Sequence, residues 1–203
     1  MASSDPDAIS RASLCLQRGE LIVLPTDTVY GIAAAIDRPD AVARLYVAKG
    51  RPMNRPIPVL ISDVEQLGRL SRGLDPRVER FVRDYWPGGL TVVLDAAGWL
   101  PREIVGDTAR VGLRMPDHRV ALQIIAAAGG SLATTSANQS GEPAATSAAE
   151  ALQSLGDQAA LIVDDGPSPG GIHSTVVSIE RDRLIVVREG AIPASEIPPN
   201  LPN

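Results

Sequence analysis

Cysteine occurs once in this chain, at Cys15, which excludes an intrachain disulfide and any multi-cysteine metal site. Histidine occurs twice, at His118 and His173, and neither falls in an H-E-x-x-H pattern. G-x-x-x-x-G-K-[ST] and G-x-G-x-x-G are also missing, so the familiar zinc-protease, P-loop and dinucleotide signatures are excluded. A serine–histidine triad has nothing in the sequence to position it. His118, in "MPDHRV", reads better as the start of a helix. Aromatic residues number only six, 3% of the chain, which leaves little for stacking on nucleic-acid bases. No apolar run approaches the roughly 20 residues of a membrane span. The first residues lack a basic region followed by an apolar run, so no export signal is expected. A soluble, cytoplasmic location is the expectation.

Lysine is as scarce as cysteine, and its one occurrence is informative. Lys49 stands in "VAKGRPMNRPIPVLI", followed closely by Arg51 and Arg55. From Ala41 to Leu60 there are four cations and no acidic residue, in a chain of net charge −5. Salt screens charges beyond about 8 Å at physiological ionic strength, so a ligand responds to this local excess rather than to the total. A helix C-terminus accounts for Lys49 through the dipole, but not for two arginines beyond it. Pro52 and Pro56 restrict that loop, which lowers the entropy lost when its side chains close on a ligand. Guanidinium groups suit bidentate contact with phosphate or carboxylate oxygens.

With 44% hydrophobic residues, the chain can bury a full core. Helical patterns ("DPDAISRASLCLQRG", capped by Asp5; "RPDAVARLYVAKG"; "DPRVERFVRDYW"; "DHRVALQIIAAAG"; "TSAAEALQSLG") alternate with short apolar strands. Those strands are "ELIVLP", "VYGIAAAI", "IPVLI", "LTVVLD", "RVGLRM", "SLATTS" and "ALIVDDG". The pair "STVVSIE" and "RLIVVRE" reads as a hairpin. The expected class is α/β with a mixed parallel and antiparallel sheet. Residues 1–192 read as one domain and 193–203 as a loose Pro-rich tail.

Polar residues gather at the strand ends, where α/β folds place ligand contacts. "LPTDTVYG" puts Thr26, Asp27 and Thr28 after a buried strand, and fits either a self-satisfied turn or a ligand contact. "TTSANQSGEP" supplies Thr134, Thr135, Ser136, Asn138 and Ser140, able to cradle phosphates or simply to turn the chain. Ser174 and Arg188 stand at opposite ends of the hairpin strands, which antiparallel pairing brings together. Arg110 and Arg114 lie four apart on one strand, hence on one face. Two arginines there point to a wet cleft or an anionic partner.

Taken in order, "PTDTVYG", "AKGRPMNRP", "WPGGLTVVL", "VGLRMPDH", "TSANQSGEP", "STVVSI" and "VVREGAI" resemble the YrdC family, the L-threonylcarbamoyladenylate synthases, in its single-domain form. The resemblance runs from Pro25 to Ile192. It implies a twisted mixed sheet around a concave basic cavity. The implied reaction joins L-threonine, bicarbonate or CO₂, and ATP into threonylcarbamoyl-AMP, with release of pyrophosphate. It further implies magnesium with ATP, for which no protein ligand is assigned, and a downstream tRNA threonylcarbamoyl-transferase that modifies adenosine 37. Carried over by position, Thr28, Arg114, Thr134 and Ser174 would bind L-threonine. Arg51, Arg55, Arg110, Ser136, Asn138 and Arg188 would bind ATP, with Lys49 and Arg51 as the catalytic cations. The chain departs from the pattern at Asp27, where the family often has Glu. It departs again at Leu60, where longer relatives carry a histidine, and at Ala144, where some have a serine.

Two other classes compete. An RNA-binding module on the same basic face is disfavoured by the −5 charge and the scarcity of aromatics, although a weak tRNA contact is compatible with the family. A carbamoyl-transfer domain would need the further domains of larger hydrogenase-maturation proteins.

Overall fold

A computed structural model describes residues 1–202. In chain order the elements are α1 (Ala8–Gln17), β1 (Ile22–Leu24), β2 (Gly31–Ala35), α2 (Pro39–Lys49), β3 (Val59–Ile61), α3 (Gln66–Leu70), α4 (Pro76–Arg83) and β4 (Leu90–Asp95). There follow α5 (Arg102–Val105), β5 (Arg110–Arg114), α6 (Arg119–Ala127), β6 (Ser131–Ser136), α7 (Ala148–Leu155), β7 (Leu161–Ile162), β8 (Thr175–Glu180) and β9 (Arg183–Arg188). The strands form one sheet in the order β7-β1-β2-β6-β3-β5-β4-β8-β9. β1–β7, β3–β5 and β4–β8 pair parallel, and the other neighbours antiparallel. The expected mixed sheet with flanking helices is what forms.

Side chains alternate between the two sheet faces, and the core divides accordingly. Val23, Ile32, Ala34, Val59 and Ile61 pack with residues of α2, α3 and α4. Ile22, Leu24, Ala33, Ala35, Leu60 and Leu132 pack with α1 and α6. On this second face the strands change character beyond the helices. β6 runs from apolar Leu132 to Thr134 and Ser136, β4 and β5 offer Thr91 and Arg114, and Ser174 stands just before β8. The sheet face that α1 and α6 leave uncovered is therefore polar, and the cavity lies there.

Two expectations need correction. Asp5 does not cap α1: its carboxylate accepts the Asp7 N–H at 2.9 Å, two residues early, and Asp7 is the N-cap without a side-chain bond. The Pro-rich tail is not loose. Leu184 N–H donates to Pro199 O at 3.0 Å and Leu201 N–H to Asp182 O at 2.8 Å, while Ile197 and Leu201 are buried. These two apolar side chains give the tail something to bury against the β8–β9 hairpin, which composition alone does not reveal.

Candidate active site

α2 begins with Pro39 in its first turn and ends at Gly50, whose φ of 57° is left-handed, a conformation glycine adopts without Cβ strain. Arg51 N–H returns to Tyr46 O at 2.9 Å, the 6→1 closure of a helix C-terminus. That turn leaves Lys49 on the last helical residue and throws the "GRPMNRP" loop forward. The loop braces itself: Arg51 Nε and Nη2 donate to Arg55 O (3.2 Å) and Pro56 O (2.9 Å), and Tyr46 Oη donates to Arg55 O at 3.1 Å.

One cavity of about 290 Å³ collects residues from across the chain, among them Thr28, Lys49, Arg51, Arg55, Arg114, Thr134, Ser136, Asn138, Ser174 and Arg188. Every predicted site residue but one is brought together here. The exception is Arg110. Its guanidinium donates to Ser178 Oγ (2.8 Å), Val93 O (3.0 Å) and Ile179 O (2.8 Å) and lies 3.7 Å from Asp95, outside the cavity lining. Four residues of strand span roughly 13 Å, so a shared face does not place Arg110 in Arg114's site.

Five cations line the cavity against one carboxylate, Glu142. Burial pushes the Arg51, Arg114 and Arg188 guanidinium groups below their ordinary value. Lys49 is only 3% exposed. Its ammonium donates to Ser136 O (2.5 Å), Asn138 O (2.6 Å) and Asn138 Oδ1 (3.2 Å). Burial first, then Arg51, pushes Lys49 down to about 8, while these three acceptors favour the proton. Asn138 Nδ2 donates in turn to Gln139 O and Glu142 O, so Lys49 and Asn138 together set the shape of the turn after β6.

Arg114 is embedded in the wall. Nε donates to Gly88 O (2.9 Å), Nη1 to Thr28 Oγ1 (2.8 Å) and Nη2 to Asp27 Oδ1 (2.5 Å). The Arg114 and Asp27 side chains are 8% and 16% exposed. Asp27, a departure from the family pattern, is thus the buried counter-charge of Arg114. Thr26 Oγ1 sits 3.0 Å from Thr28 Oγ1 and donates to Val29 O at 2.7 Å. Ser174 Oγ lies 2.8 Å from Thr91 Oγ1, and Arg188 Nη2 donates to Ser174 O at 2.7 Å. Leu60 lines the floor, whereas Ala144 faces a neighbouring depression.

The sequence reading missed Thr91 and His173, both of which line the cavity. Thr91 is a polar residue in a strand whose inward positions are otherwise apolar, a signal that alternation supplies. His118 stands apart, 3.5 Å from Asp165. Among the described residues no group of three or more His, Cys, Asp or Glu could hold a metal, and no helix is long and apolar enough to cross a membrane.

Fold and cavity together define an α/β protein whose mixed sheet carries a cationic, hydroxyl-lined pocket suited to multiply charged anions. The Sua5/YciO/YrdC family model, described as "Telomere recombination", matches residues 15–190. Threonylcarbamoyl-AMP synthase of Bacillus subtilis is 36% identical over 97% of this chain and 57% of that protein. A putative threonylcarbamoyl-AMP synthase of Mycobacterium tuberculosis is 35% identical over 96% of this chain and 91% of its own length. The crystal structure of P. abyssi Sua5 complexed with L-threonine superposes with a TM-score of 0.89 at 35% identity, covering 93% of this chain and 55% of that one. The chain belongs to the Sua5/YciO/YrdC family. It spans a little over half the length of the B. subtilis and P. abyssi proteins.

Proposed function

We propose that the protein synthesises threonylcarbamoyl-AMP from L-threonine, bicarbonate or CO₂, and ATP, releasing pyrophosphate. The convergence of Lys49, Arg51, Arg55, Arg114 and Arg188 on one cavity is the observation that carries this reading. The carbamate of threonine and the ATP phosphates are all anionic. Like charges about 4 Å apart repel by roughly 4 kcal/mol at an effective dielectric of 20. Fixed cations offset that repulsion and stabilise the charge that develops on the departing pyrophosphate. No covalent nucleophile is needed when the reactants are held in line.

In this reading Thr28, Arg114, Thr134 and Ser174 form the amino-acid end, with Arg114 acting on the ligand partly through Thr28. Arg51, Arg55, Ser136, Asn138 and Arg188 form the nucleotide end, and Lys49 fixes the turn that carries two of them. Magnesium enters with the nucleotide as part of the substrate. The cavity's one carboxylate does not make a resident cation cage, and phosphate oxygens supply the ligands. A tRNA threonylcarbamoyl-transferase is the consumer of the product.

The test is direct. The purified protein with ATP, bicarbonate and magnesium should release pyrophosphate only after L-threonine is added. Release independent of threonine, or none at all, sinks the assignment.

Lys49 adds a pH dependence. ATP affinity should fall between about pH 7.5 and pH 9.5 as Lys49 loses its proton near 8, read by isothermal calorimetry. Stability moves the other way. The folded value lies below the unfolded one near 10.4, so the penalty for burying the charge applies fully below pH 8 and is relieved as pH rises toward 10.4. Constant affinity across that range contradicts a role for the Lys49 charge at the nucleotide end.

A further inference from the structure

His173 lines the cavity, yet nothing described so far uses it. Its backbone is fixed. The carbonyl accepts the Ala191 N–H at 2.8 Å, and Gly190 passes so close that a Cβ there would lie 2.2 Å from His173 O. The residue is exposed and lines the cavity. Partial burial, then Arg188 of β9, Lys49 of α2 and Arg114 of β5, push its imidazole below the ordinary value. The other charged groups of the wall are Arg51, Arg55 and Glu142.

Among these groups His173 is the one suited to accept a proton. The arginines are cations, and the Lys49 ammonium turns its protons to Ser136 O, Asn138 O and Asn138 Oδ1 in the wall. Hydroxyls are weak bases. The Glu142 carboxylate accepts Ser154 Oγ–H at 3.3 Å and borders the adjoining depression as well. An amino acid enters as its ammonium form, which has no lone pair, and cannot attack carbon until a proton leaves. A base surrounded by cations also returns its proton readily to solvent, ready for the next turnover.

Resting on the proposed synthesis of threonylcarbamoyl-AMP, we propose that His173 is the general base that removes a proton from the substrate ammonium before the carbamate forms. An N–H bond of the ammonium breaks, the proton passes to an imidazole nitrogen and the electron pair stays on the amine. The amine attacks the carbon of bicarbonate, forming N–C. A C–O bond breaks, and the departing hydroxide leaves as water with a second amine proton. Ammonium and bicarbonate thus give carbamate, water and one proton, which His173 holds and then releases.

His173→Gln and His173→Ala, each checked for an intact thermal transition, are compared with the unmodified protein for threonine-dependent pyrophosphate release from about pH 6 to about pH 9.5. Near pH 7, kcat should fall roughly 10²-fold in both, the scale of general base catalysis, with KM for ATP unchanged. The gap should narrow as pH rises and the threonine amine loses its proton unaided. Because Lys49 titrates alike in all three proteins, its effect cancels in the ratio. A gap that stays constant with pH, or a neutral-pH rate equal to that of the unmodified protein, overturns the base role alone. No threonine-dependent release from the unmodified protein overturns the synthesis reading and the base role with it.

Discussion

Arg114→Ala should lower the melting temperature by roughly 6–20 °C and remove most threonine-dependent turnover. The thermal figure follows from the burial of the pair. Removing one partner of a buried ion pair leaves an uncompensated charge, at about 3–5 kcal/mol, and in a chain of this size each kcal/mol moves the transition by about 2–4 °C. Asp27 would keep the Asp117 N–H as a donor, but Thr28 Oγ1 and Gly88 O would each lose one. Turnover falls for a separate reason, since Thr28 is no longer oriented and the wall loses a cation. Adding Asp27→Asn to Arg114→Ala distinguishes the two effects. The neutral amide should recover part of the lost stability and none of the activity. Arg114→Lys should be poor as well, because a single ammonium cannot span the three acceptors that the planar fork reaches. An Arg114→Ala protein that melts and turns over like the unmodified one would remove Arg114 from the site.

Sequence reading picked out most of the polar residues that line the cavity because they sit where a strand leaves its helices behind. Thr28, Thr134, Ser136 and Ser174 all fall at strand ends, and both periodicity and composition change there. The strands and longer helices were legible as short apolar runs and as apolar stripes at helical spacing, with Pro at the start of α2 and α4 and Gly at the end of α2. What the sequence hid was the use made of each charge. Arg110 and Arg114 are indistinguishable by spacing, yet one is bound by carbonyls and Ser178 at the far end of β5 and the other by Asp27 at the cavity. The pairing of Arg114 with Asp27 joins residues 87 positions apart, which no local pattern encodes. α3 and α5 escaped notice because five and four residues are too few to show a period. His173 escaped because its importance comes from three cations contributed by α2, β5 and β9.

Lys49→Met should weaken ATP binding roughly 10- to 100-fold, the scale of one charge-assisted interaction at about 1.5–3 kcal/mol, while costing little in thermal stability. Two terms oppose each other in the fold. Ser136 O, Asn138 O and Asn138 Oδ1 each lose a donor, at about 1–3 kcal/mol for any that stays dry. Against that, a buried ammonium already depressed to about 8 is replaced by an apolar side chain of similar length, which removes its desolvation penalty. The deficit should therefore appear locally, as faster amide exchange across residues 136–142, where the turn depends on Lys49 and Asn138 for its shape. Arg51→Gln serves as the control, since the Arg51 side chain bonds its own loop at Arg55 O and Pro56 O. That variant should lose nucleotide affinity while leaving exchange in 136–142 unchanged. The loss of affinity above pH 8 should vanish in Lys49→Met and persist in Arg51→Gln. If the turn exchanges normally in Lys49→Met and ATP still binds, neither the charge nor the three hydrogen bonds of Lys49 organises the nucleotide end of the cavity.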